Sequence, residues 1–183
     1  MERAALNRIK SAWRRLRSNF WRSLALDVVL IIAVFFSIHA WQTRDLPIDQ
    51  PAPATVLPLL DGLGVRSALT RGEAGVVYFF APWCFYCRTS IGNLDKLAAG
   101  NDSAWAVAVA LAYADEDEVR AFVEETGINM PVLMGDESTA RDWSVRAFPT
   151  YYVIDTEGRI SSRSVGYSTR LGMWLRYKRA RAW

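Results

Sequence analysis

Gly75-Val76-Val77-Tyr78-Phe79-Phe80-Ala81-Pro82-Trp83-Cys84-Phe85-Tyr86-Cys87 runs from an unbroken apolar, β-forming hexamer through a short turn into two closely spaced cysteines. A hexamer of this kind predicts a central strand buried on both faces. Beyond it, Ile91, Leu94, Leu97 and Ala98 recur at helical spacing and predict a helix over Cys84–Ala98. The cysteines therefore stand where a strand hands over to a helix. They are the only two in the 183-residue chain, so each sulfur can pair only with the other or with another molecule.

Outward from this junction, the remaining elements follow from local pattern. Towards the N-terminus, a first strand near Thr55–Leu60 and a turn at Asp61-Gly62 and Leu63-Gly64 predict a small β-hairpin. Towards the C-terminus, Trp105–Ala112 reads as a second buried strand. Asp115-Glu116-Asp117-Glu118 supplies the acids of a helix N-terminus, and Gly127 supplies its stop. Pro131–Met134 is a short strand, followed by a short helix around Ser138–Ser144. Thr150–Asp155 and Arg159–Gly166 form a hairpin around Thr156-Glu157-Gly158. A last helix starts near Thr169, with Leu171, Trp174 and Leu175 expected on its packed face. The order combines βαβ units with a closing antiparallel hairpin, hence an α/β sandwich on a mixed sheet.

An appendage precedes this domain. Leu24–Trp41 is an 18-residue span whose centre, Val28–Ile38, is apolar except for Ser37. Trp21 and Trp41 flank it at a separation of about 30 Å of helix, the thickness of a bilayer's hydrocarbon core. Asp27 and His39 fall near its two ends, where a polar side chain reaches the interface. Seven basic residues (Arg3, Arg8, Lys10, Arg14, Arg15, Arg17 and Arg22) precede the span against Glu2 alone. The positive-inside rule then places residues 1–23 in the cytoplasm, the anchor at 24–41, and everything after it outside. The competing reading is a cleaved signal peptide with Ile38-His39-Ala40 as its site. Residues 42–53, with Pro47, Pro51 and Pro53, read as an extended tether to a domain over 54–183.

Charge and composition exclude several functions. Residues 42–169 hold seventeen acidic side chains against ten basic ones, a poor surface for nucleic acid. Five of the remaining basic residues crowd the last fourteen positions. With one histidine, placed in the apolar span, neither a zinc site nor a Ser-His-Asp set can be assembled. No cofactor-binding motif is present.

Exchange chemistry fits the pair best. A cysteine at a helix N-terminus faces unpaired N–H groups and the positive end of the helix dipole, so Cys84 is expected to have a depressed pKa. Cys87, one turn on and more enclosed, is expected to hold its proton until a mixed disulfide forms on Cys84, and then to resolve it. Three alternatives remain: an inert structural disulfide, a copper(I) site of two thiolates, and a non-catalytic binding module.

Tyr78–Arg88 together with Val145-Arg146-Ala147-Phe148-Pro149-Thr150 resemble the thioredoxin superfamily over roughly residues 50–180. The resemblance implies a three-layer thioredoxin-like sandwich with an N-terminal β-hairpin extension. It implies a cis Pro149 against the cysteines, and a substrate groove lined by Trp83, Phe85, Tyr86, Phe148, Pro149 and Thr150. The anchor and hairpin are similar to the TlpA/ResA-like exported oxidoreductases of bacteria. Gly166-Tyr167 and Leu171–Arg176 most resemble the suppressor-of-copper-sensitivity D type. The expected substrates are cysteine-containing exported, periplasmic proteins, with reduction or isomerisation expected ahead of oxidation and the direction open; for reduction, the resemblance implies a DsbD-like transmembrane electron donor. Two features depart from the pattern. Tyr78 stands where thioredoxins keep a buried acid, so the base for Cys87 is unassigned, with water or a carboxylate such as Glu73 as candidates. The acidic signature of cytochrome c maturation reductases is absent around Pro149.

Overall fold

The computed structural model describes residues 20–70, 72–100 and 104–182; most of the basic N-terminal tail, and the side chains of Phe20, Trp21, Arg22 and His39, lie outside them. The chain forms two units, divided between Arg44 and Asp45. The first is a helix, α1 (Phe20–Thr43). Its 21-residue Ser23–Thr43 stretch reaches a mean hydropathy of 2.2 over its most apolar 18 residues and exposes its apolar side chains, so it is long and apolar enough to cross a bilayer. Ser37, the polar residue in the apolar centre, returns its hydroxyl to the Ala33 carbonyl at 2.8 Å.

The second unit is built on β3 (Gly75–Phe80), all six residues of which are buried. It pairs in parallel with β4 (Trp105–Ala110) and antiparallel with β6 (Thr150–Ile154). β5 (Val132–Met134) and β7 (Ile160–Val165) complete a mixed sheet in the order β5-β4-β3-β6-β7. Alternation along β3 divides the core. Val76, Tyr78 and Phe80 face α2 (Phe85–Ala98), α3 (Glu116–Thr126) and α5 (Arg170–Arg181). Val77 and Phe79 face the other layer, formed by Trp143 at the end of α4 (Glu137–Asp142) and by Leu46 and Ala68. Helices thus cover both faces, the sandwich expected from sequence.

The hairpin is present as β1 (Val56–Pro58) and β2 (Val65–Ser67). Beyond it, Leu59 bridges Leu133 and the Leu60 amide donates to the Val132 carbonyl at 3.0 Å, so the extension continues the sheet past β5. The opposite edge is covered as well. Residues 46–52, read from sequence as part of a tether, are held in place. Leu46 is buried, the Asp49 amide donates to Ile160 O at 2.8 Å, and Ile160 N donates to Gln50 O at 2.9 Å. Prolines signal extended backbone, and extended backbone beside a strand edge pairs with it.

α5 differs from expectation. Leu171 and Leu175 are 64% and 54% exposed, and the buried stripe is Met173, Tyr177 and Ala180. Thr169 caps the helix, and Arg176 reaches the buried Tyr151 hydroxyl at 2.7 Å; together they set a register that turns the leucines outward. α4 is fixed by a capping box between Asp136 and Thr139. The Thr139 amide, then the Ser138 and Thr139 hydroxyls, hold the Asp136 carboxyl down at about 2.

Trp143 ties the second layer together. It is fully buried, donates Nε1–H to Thr55 Oγ1 at 2.8 Å, and packs on Phe79 and Tyr152 at ring separations of 5.2 and 5.4 Å. The Tyr152 hydroxyl donates to its carbonyl at 2.5 Å. Trp143→Ala is expected to destabilise the domain by about 3–5 kcal/mol, measured as a fall in urea midpoint at unchanged slope.

Candidate active site

β3 ends at Phe80, and Ala81-Pro82-Trp83 carry the chain into α2 with Cys84 as the N-cap residue. Cys84 has extended backbone (φ −80°, ψ 110°), and its Sγ accepts the Cys87 amide at 3.2 Å. The sulfur therefore occupies the position of a capping oxygen, at the positive end of the helix dipole. Cys84 is 6% exposed and Cys87 is fully buried one turn behind it; both are thiols. Burial, and then the Cys84 sulfur as its hydrogen-bond partner, push the Cys87 thiol pKa far above its usual range.

The rim around Cys84 is aromatic and open. Trp83, Phe85 and Tyr86 are each more than 60% exposed. Trp83 is pinned by its indole N–H to the Ala112 carbonyl at 2.8 Å, and it meets Phe148 edge-on at 5.9 Å. Phe85 and Tyr86 meet edge-on at 5.8 Å. The Phe148–Pro149 peptide is cis. Register brings this loop to the site, because Thr150 opens β6 opposite Phe79, next to the end of β3 that delivers Cys84. Thr150 is turned inward, 1% exposed, with its hydroxyl donated to Ala147 O at 2.8 Å. It shapes the turn instead of lining an open surface. Pro149 is buried too, and its carbonyl accepts the Gly166 amide at 2.8 Å.

Arg88, the nearest cation in sequence, is committed elsewhere: it donates to Pro82 O at 3.0 Å and pairs with Glu125 at 3.4 Å. Glu73, the carboxylate considered for Cys87, is exposed just before β3, at the opposite end of the strand from the cysteines. Six residues of strand separate them by about 20 Å, so it cannot serve. The buried polar groups on Cys87's side of the sheet include Tyr78 and Ser90, whose hydroxyls lie 2.7 Å apart, and Tyr151 stacked on Tyr78. Ser90 went unremarked in the sequence, although its position three residues after Cys87 puts it on the same helix face.

The AhpC/TSA family profile matches residues 48–163. The chain belongs to the AhpC/TSA family. Among AhpC/TSA and thioredoxin-like relatives, the thioredoxin-like protein YneN of Bacillus subtilis is 30% identical over 159 residues, 84% of this chain and 94% of that one. The thiol-disulfide oxidoreductase ResA of Bacillus cereus is 26% identical over 159 residues, 81% of this chain and 91% of that protein. Among solved structures, a thiol:disulfide interchange protein of the thioredoxin family from Chlorobium tepidum superposes with a TM-score of 0.63 at 26% identity, covering 72% of this chain and 95% of its own. These matches support the TlpA/ResA-like type within the family.

The two sulfurs should differ sharply in reactivity. With iodoacetamide at neutral pH, wild-type protein is expected to be modified at Cys84 first. In a Cys84→Ser variant, Cys87 should stay unmodified until the pH is raised well beyond the ordinary cysteine range, because burial keeps it protonated. Peptide mass mapping across a pH series reads this directly, and equal labelling of both at neutral pH contradicts it.

Proposed function

We propose that this protein is a membrane-anchored, exported thiol–disulfide oxidoreductase that reduces disulfides in other exported proteins. The observation that carries the reading is the placement of Cys84 Sγ at the cap of α2, near the surface and within an aromatic rim, with Cys87 buried one turn behind it. Cys84 attacks the substrate disulfide and forms a mixed disulfide. Cys87 then attacks Cys84 and releases the substrate as a dithiol. Trp83, Phe85, Tyr86 and Phe148 form the contact surface, and the cis Phe148–Pro149 bond sets the wall beside it.

One observation supports the reducing direction. Strong oxidants gain their potential from stabilising the reduced thiolate. Here the helix end is the chief positive influence on Cys84, since Arg88 is held by Pro82 and Glu125. Reduction outside the cytoplasm requires electrons from within, which supports a DsbD-like membrane donor. The apolar length of α1 and the basic residues before it support a single retained anchor, with the N-terminus cytoplasmic and the domain periplasmic. The resemblance at Gly166-Tyr167 and Leu171–Arg176 supports the suppressor-of-copper-sensitivity D type.

The redox potential of the Cys84–Cys87 pair, measured against a glutathione buffer, is expected near thioredoxin's value of about −270 mV; a value near −120 mV would make the protein an oxidant. Cys84→Ser should abolish reduction of insulin disulfides. A variant that keeps the cellular phenotype without turnover would identify a binding module instead. After cell breakage, the full chain should remain with membranes through alkaline carbonate washing, and release of a shortened domain would contradict a retained anchor.

A further inference from the structure

Charge is segregated along this chain. Residues 45–157 hold seventeen acidic side chains and seven basic ones, whereas residues 158–183 hold seven basic side chains and no acid. Five of those seven, Arg170, Arg176, Lys178, Arg179 and Arg181, lie on α5. The fold therefore sets a wholly basic helix on an otherwise acidic domain. At physiological ionic strength charges are screened over about 8 Å, so a surface that meets α5 feels the local sign and not the net one.

The same helix carries a second apolar stripe. Met173, Tyr177 and Ala180 point into the core. On the opposite face, at spacings of four and then three residues, stand Leu171, Leu175 and Lys178. Both leucines are exposed, Trp174 beside them is half-buried, and the Lys178 ammonium lies over the Trp174 ring at 5.7 Å. Arg179 and Arg181 are exposed and, among the described residues, make no ion pair. Arg176 is set apart by its bond to the Tyr151 hydroxyl. Leucines and a tryptophan flanked by cations are the composition of a helix face that lies in a membrane interface.

The placement of α5 agrees with that composition. Ile48 and Asp49 line one cleft with Arg176 and Arg179, so the C-terminal half of α5 lies beside the segment by which the chain enters the domain. Ile48 is exposed and follows Thr43, the last residue of the apolar helix, by five residues, a reach of at most about 17 Å. Asp155 and Glu157 of the same cleft belong to the β6–β7 turn, and the Asp155 carboxylate accepts the Glu157 and Arg159 amides at 2.9 and 2.8 Å.

We infer that the outer face of α5 is a second membrane contact: Leu171, Trp174 and Leu175 enter the headgroup region of an anionic bilayer, and Lys178, Arg179 and Arg181 meet its phosphates. Closeness to a bilayer rests on the anchored reading above, whereas the preference for anionic lipid rests on the charge of the helix alone. The Gly166 amide donates to the Pro149 carbonyl at 2.8 Å just before α5 begins, so a docked α5 keeps the cysteine site close to the bilayer.

The test uses the full chain in a Cys84→Ser, Cys87→Ser background, with a nitrobenzoxadiazole fluorophore on Leu175→Cys. The protein is reconstituted by detergent removal into vesicles of phosphatidylcholine alone, or with about one-third phosphatidylglycerol. Quenching by a lipid that carries a doxyl group near its headgroup is expected in the anionic vesicles and not in the neutral ones. The same probe on Leu63→Cys, at the exposed hairpin turn on the other edge of the sheet, should stay unquenched in both. One basic side chain near an anionic surface is worth about fivefold, so Lys178→Gln, Arg179→Gln and Arg181→Gln together should lower the docked-to-free ratio about a hundredfold. Salt at about 1 M, which shortens screening to about 3 Å, should weaken quenching with every basic residue in place, a control independent of how the triple variant folds. The inference is overturned if position 175 stays unquenched in anionic vesicles, is quenched equally in neutral ones, or is already shielded in detergent, as by a second copy of the chain. A chain that floats with anionic but not neutral vesicles supports the α5 contact while overturning the retained anchor. One that floats with neither overturns both.

Discussion

One hydrogen bond, from the Cys87 amide to Cys84 Sγ at 3.2 Å, joins the fold to the chemistry. A helix leaves its first amides without internal partners, and a side-chain acceptor at the cap satisfies one of them. In this chain that acceptor is the sulfur that undergoes exchange. The amide that completes the helix therefore also directs positive charge at the reacting atom. Serine is among the strongest cap residues, so Cys84→Ser retains the cap while removing the nucleophile. Loss of turnover in that variant is then chemical and not structural.

The cap holds its place because β3 is buried on both faces and cannot shift. Val76, Tyr78 and Phe80 are locked against α2, α3 and α5, and Val77 and Phe79 against the Trp143 layer. The same strand fixes the second half of the site by register, since Phe79 opposite Thr150 sets where Phe148 and Pro149 emerge. Trp83 closes the arrangement by reaching both the Ala112 carbonyl and the Phe148 ring. Three elements distant in sequence thus meet at the C-terminal end of one strand, where α/β sheets commonly place their sites.

The sequence revealed the junction because its signals are local. Five consecutive β-formers, Val76–Phe80, two cysteines and a helical repeat define strand, site and helix without reference to anything remote. What escaped depends on partners far along the chain. The outward turn of Leu171 and Leu175 follows from Thr169 and from the contact of Arg176 with Tyr151, which no periodicity within α5 reveals. The prolines before the hairpin indicate extended backbone, but only the opposing β7 shows that residues 46–52 are held rather than free. Thr150, adjacent in sequence to the cis bond, looked like a groove residue; its hydroxyl is taken by Ala147. Glu73 looked near the cysteines by sequence distance, whereas an extended strand carries it to the far end of the domain. Ser90 was legible in principle, one turn from Cys87, once Tyr78 is recognised as needing a partner.

The central claim is that Cys84 is the sulfur exchanged with substrate and that Cys87 alone resolves it. The most direct measurement is intact-mass analysis of Cys87→Ala protein treated with a disulfide-containing peptide. One stable peptide adduct, mapped to Cys84, is the predicted result. Failure to accumulate that adduct, or an equal adduct on Cys87 in the reciprocal Cys84→Ala protein, would contradict it.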